Sequence, residues 1–223
     1  HFNSTALSGP LTIGTGASQT PSAIVRIRED DQILDSAQVR ILSDGVLELG
    51  PYFERAGQVT VTDGKVAIGD VPTSDAQLVP STLTMTGGTI QIARDSALNL
   101  QSAVTAMSSA VEPALISGEG TVRLNGTTRV FMVGNGPQAV DLEIQPAIVG
   151  VGLEGIEKSG AGTMRFSTAQ ANHYNGLTTV VAGRLELARP GAVSIPRDLR
   201  ITQSGDASTV VDACSSISAG PAM

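Results

Sequence analysis

Apolar and polar residues alternate along the chain in short runs, each cut off by a tight turn. One phrase recurs: two alternating apolar residues, a turn closing on glycine, then two more alternating apolar residues. Its clearest copies are Val39, Ile41, Gly45, Leu47, Leu49; Val59, Val61, Gly64, Val66, Ile68; and Leu83, Met85, Gly88, Ile90, Ile92. A fourth is Val180, Gly183, Leu185, Leu187, and half-copies stand at 120–124 and 162–166. Period two puts Leu47 and Leu49 on one face and Glu48 on the other, so each phrase predicts strand, turn, strand with one buried face and one wet face. The pairs Asp44-Gly45, Asp63-Gly64 and Gly87-Gly88 suit turns that demand positive φ.

The glycines of the first three phrases are 19 residues apart (Gly45 to Gly64) and then 24 (Gly64 to Gly88), which fits one irregular solenoid coil per phrase. A β-meander or sandwich would also show short strands and Gly turns. A second, longer likeness favours the solenoid. Leu199-Arg200-Ile201, a small polar stretch and Val210-Val211 parallel Leu11-Thr12-Ile13 and Ile24-Val25, and Ile217 to Met223 repeats the spacing of Ile33 to Val39. The expectation is an all-β parallel β-helix, one continuous stretch over 1–223 excerpted from a longer tandem array, with 199–223 restarting the pattern of 11–39. Residues 101–113 are weakest for strands and read as irregular coil, with a short helix over 102–111 as the alternative that Pro113 would end.

Composition agrees: 41% apolar residues with only 3% aromatic, no Trp and 25 Gly suit many short strands and tight turns. At 16% charged and a net charge of −7, with no basic stripe, nucleic acid is not an expected partner. No apolar run is long enough to span a bilayer and no signal segment opens the chain. The start at His1 without Met, and the lack of a stop-like tail after Met223, predict processing or excision, with targeting signals outside the stretch. The single Cys214 has no intrachain disulfide partner and reads as a small buried hydrophobe.

Candidate chemistry is sparse. Glu29-Asp30-Asp31 reads as a solvated turn, and Asp44 and Asp63 as turn residues whose side chains cap their own backbone. Lys65 and Lys158 are the only lysines, and Arg residues are dispersed. His1 and His173 lack a second ligand at metal spacing, so neither a metal nor a cofactor is expected. No catalytic set is assigned; Cys214 has no His or acid partner in sequence. The triplets Asn3-Ser4-Thr5 and Asn125-Gly126-Thr127 read as turns.

One stretch carries more. Lys158-Ser159-Gly160-Ala161-Gly162-Thr163-Met164-Arg165-Phe166 is followed by Asn172-His173-Tyr174-Asn175-Gly176-Leu177-Thr178-Thr179-Val180 and by Gly183-Arg184-Leu185-Glu186-Leu187. Over 155–187 it resembles the autotransporter-associated β-strand repeat of bacterial secreted and surface proteins, with Met164 and Phe166 in place of two leucines. That resemblance implies a right-handed parallel β-helix, exported to the cell surface, in which Lys158, Gly160, Gly162, Asn172, Tyr174, Gly176 and Gly183 shape turns. It implies a structural or adhesive role as rod, stalk or fibre, with neighbouring copies or flanking repeats as partners and surface glycans or envelope components as further ones. The alternative is a carbohydrate-binding or polysaccharide-cleaving β-helix, which would gather acids and Arg in one groove.

Overall fold

The computed structural model describes residues 5–69, 75–202 and 209–213. The readings of His1, Asn3, Cys214 and 217–223 fall outside the described residues. Within them every element is a strand and every ladder is parallel. The fold is a parallel β-solenoid.

Its first side stacks Leu11 on Val39, then Val59, Leu83, Val104, Phe131, Lys158, Val180 and Ile201. Its second side stacks Val25, Leu47, Val66, Ile90, Ile116, Ile144, Phe166, Leu187 and Ala213. Nine levels, hence eight coils, follow one another without a break in either ladder. A third side, shorter, runs through Leu78, Leu98, Val122 and Ile148. The inward residues of the three sides meet in one narrow apolar core, most of them fully buried. Burying each Val, Ile or Leu contributes about 1.5–3 kcal/mol, and each column depends on the coil above and below it.

Since ladder partners are one coil apart, the turn inside each phrase is a corner between two sides, not a hairpin. This changes the role of its glycines. Positive φ is found at Asp63 (52°), Gly87 (58°) and Gly88 (75°), but not at Asp44, Gly45 or Gly64. Gly45 is required because a Cβ would strike the Ile13 carbonyl, and Gly64 because one would lie 2.5 Å from the Leu42 oxygen of the coil below.

Residues 101–113, expected as irregular coil or a short helix, hold the strand Val104–Met107, which pairs with Gln77–Thr86 and Arg129–Val133. Ladder neighbours on both sides override a local sequence of modest strand propensity. The two half-copies occupy different places: Thr121–Arg123 lies on the third side and Thr163–Ser167 on the second. Leu199–Ile201 and Val210–Ala213 hold the same positions in the last level as Leu11–Ile13 and Ala23–Arg26 in the first.

Candidate functional site

Lys158 shares the parity of Ile156, so alternation turns it inward, between Phe131 and Val180 of the core column. It is fully buried. Its ammonium crosses the corner and donates to the carbonyls of Ser159 (3.0 Å), Gly160 (2.7 Å) and Ala182 (2.9 Å), the last in the next coil. Burial pulls its pKa down to about 8, opposed by the Asp141 carboxylate.

On the third side the next inward residue after Ile148 is Asn172. Its Oδ1 accepts the Ile148 N–H (2.9 Å), and its Nδ2 donates to the Ser194 carbonyl (2.6 Å), so one amide links three levels. The buried Tyr174 hydroxyl pairs with Thr178 Oγ1 at 2.6 Å, and burial pushes it up to about 12. Gly160, at φ 78°, and Gly183, at φ 70°, lie against backbone of neighbouring coils, as do Gly162 and Gly176. Lys158, Asn172 and Tyr174 are thus brought to successive corners of stacked coils, where Lys158 and Asn172 satisfy peptide groups that the ladders leave unpaired and Tyr174 pairs with the Thr178 hydroxyl.

The same device recurs at residues that carry no sequence motif. Carboxylates take N–H groups. Asp44 accepts from Thr15 and Gly16 N–H and from Ser22 Oγ in the coil below, rather than capping its own backbone, and the Gly16 bond leads in holding its pKa far down. Asp63 Oδ1 is likewise no self-cap, being buried with no hydrogen bond. Asp141 accepts from Ser108 Oγ, Gly136 N–H and Thr163 N–H, spanning three levels. Glu54 stands in an apolar column of the third side and accepts from Gln32 and Ile33 N–H, and desolvation raises it to about 7. Guanidinium groups take carbonyls: Arg129 those of Leu124, Gln101 and Asn125, and Arg189 those of Gln145, Pro146 and Ser167. Outward-facing arginines pair with carboxylates one coil away, as in Arg94–Glu119 and Arg165–Glu186 at 2.7 Å each. Lys65 and His173 point outward, and 29–31 form a turn in which Asp30 accepts the Phe53 N–H.

One concave surface of polar character lies at the corner between the third and first sides. From inward residue to inward residue this corner is five residues long at Glu54 to Val59 and at Leu78 to Leu83, but nine at Val122 to Phe131 and ten at Ile148 to Lys158. Phe53–Thr62 and Gln77–Thr86 run straight through it as ten-residue strands. With the longer corner loops further along on one side, the short corners leave a groove of about 530 Å³ floored by Ala56 and Val79. Among the described residues, no three His, Cys, Asp or Glu side chains gather to hold a metal ion, and no helix is long and apolar enough to cross a membrane.

No family model, curated protein or solved structure matches the chain.

Proposed function

We propose that this chain is a rod segment of an exported bacterial surface protein, structural or adhesive in role. The observation that carries the reading is the unbroken stacking of two ladders over nine levels, with most buried charged groups engaged in tying one coil to the next. Such an object gains reach by adding coils and needs no separate core for each. The likeness of 155–187 to the autotransporter-associated repeat supports the surface location and the bacterial setting. Its partners are then flanking coils or further copies of the chain, together with envelope or surface components.

Electron microscopy and fibre diffraction of the native material test this. Rods with an axial spacing of about 4.8 Å are expected, the strand separation of stacked coils. Compact particles without that spacing would refute the rod and return the carbohydrate-cleaving alternative to the front.

A further inference from the structure

We infer that the corner groove floored by Ala56 and Val79 binds a linear acidic oligosaccharide. From Asp35 at one end to Asn125 at the other it crosses four ladder spacings, about 19 Å, a length suited to an extended chain of several units. Its walls gather an unpaired guanidinium and unpaired amides on one strip. Arg123 has no carboxylate or carbonyl partner among the described residues, although Arg26, Arg94, Arg165 and Arg184 each pair with an acid. The amides of Gln101 and Asn125 flank it, also without partners among the described residues, and each offers both donors and an acceptor. Beside them Asn99 donates to Gln77 at 2.9 Å while its own oxygen accepts nothing among the described residues. At the far end Arg55 is held over the Phe53 ring, 4.6 Å from its centroid, and already pairs with Asp31 at 3.9 Å.

Hydroxyls that both donate and accept match a row of amides. A carboxylate of the ligand matches the unpaired Arg123 guanidinium, and a second can compete with Asp31 for Arg55, in a chain whose net charge is −7. A peptide adding as a further strand is disfavoured, because Gln77–Thr86 is already paired along both edges and recognition falls to side chains alone. Asp35 is the sole carboxylate of the lining among the described residues. Two-carboxylate glycoside hydrolysis needs a pair, so the groove is proposed as a binding site and that mechanism is not assigned to it.

This site gives the rod proposed above a ligand and rests on that reading only for where the ligand is met. Titration calorimetry of the chain with tetragalacturonate tests it, with maltotetraose and tetraglutamate as comparisons. Saturable binding near or below about 1 mM is expected, with maltotetraose and tetraglutamate each about tenfold weaker. Arg123→Gln should weaken it about tenfold, and Arg26→Gln, on the second side, should leave it unchanged. No binding at about 10 mM by chain whose far-ultraviolet spectrum is native overturns the inference. Equal loss in both variants, or tetraglutamate binding as tightly, overturns it too. Because binding is read on the chain in solution, it fails or succeeds independently of the microscopy that tests the rod.

Discussion

Lys158→Met removes the ammonium and keeps an unbranched side chain of similar volume in the core column, so it isolates the contribution of the charge. Three carbonyls lose a charged donor. At the lower end of the range for charge-assisted bonds, about 1.5 kcal/mol each, they account for roughly 4–5 kcal/mol. Against this stands the burial of the ammonium. Its pKa falls from 10.5 to about 8, equivalent to about 3.4 kcal/mol, or roughly 2–3 kcal/mol after discounting for solvent screening. The net loss is about 2 kcal/mol, a fall in Tm of about 4–8 °C for a chain of this size.

Urea unfolding followed by circular dichroism reads this at pH 7 and again at pH 10. Lysine lowered to about 8 when folded binds fewer protons than in the unfolded chain, where it titrates near 10.4. Wild-type stability therefore rises as pH climbs from about 8 to about 10.4, relative to a variant with nothing to titrate. The deficit of Lys158→Met should widen over that window. A variant as stable as wild type at pH 7 would refute the view that the ammonium holds the corner together, and a gap that closes at pH 10 would refute the lowered pKa.

Glu54 gives the opposite slope. Its carboxyl is raised from 4.5 to about 7, so the folded chain keeps a proton that the unfolded chain releases. Stability should fall by about 2 kcal/mol, after allowance for screening, as pH rises from about 4.5 to about 7, and stay level above. Glu54→Gln should flatten that slope in urea midpoints taken at pH 4.5, 6 and 8, and an unchanged slope would place the titrating group elsewhere. Asn172→Ala should cost about 2 kcal/mol and speed amide exchange at Ile148, whose N–H loses its acceptor; unaltered exchange there would contradict the linking role. Gly160→Ala drives a Cβ into the Val133 carbonyl, whereas Gly126→Ala, at φ 86°, meets nothing within 4 Å. The first should cost more than about 3 kcal/mol or prevent folding, and the second about 1 kcal/mol. Equal thermal shifts in the two would mean that close approach is not what selects glycine.

The two long sides were legible because their signal is local. Val59, Val61, Val66 and Ile68 alternate within one phrase, and both ladders leave one face wet. The third side was not, since strands such as Ala97–Asn99 and Thr121–Arg123 are three residues long, too short for a period to register. Corner glycines were recognised, but the reason for Gly45 and Gly64 was not. What selects them is the carbonyl of another coil, which no turn rule based on φ contains.

The buried charges were hidden for the same reason in stronger form. Asp141 meets Ser108 across 33 residues, and Arg189 meets Gln145 across 44. Only parity hinted at them: Glu54 keeps step with Tyr52 and Ala56, and Lys158 with Ile156, so alternation points each charge into the core. A narrow solenoid creates this situation on every coil, because each corner leaves peptide groups that neither side pairs and that little solvent reaches. Acids then collect at corners rich in N–H groups and bases at corners rich in carbonyls, so charge scattered in sequence is ordered in space. That ordering also makes the exception informative. Where corners are short enough for a strand to run through, as at Phe53–Thr62 and Gln77–Thr86, few peptide groups need such help. The polar side chains beside them, Arg123 and the neighbouring amides, are left facing outward along a groove. A guanidinium and two amides, unpaired among the described residues and gathered along one groove, are what point to a ligand there.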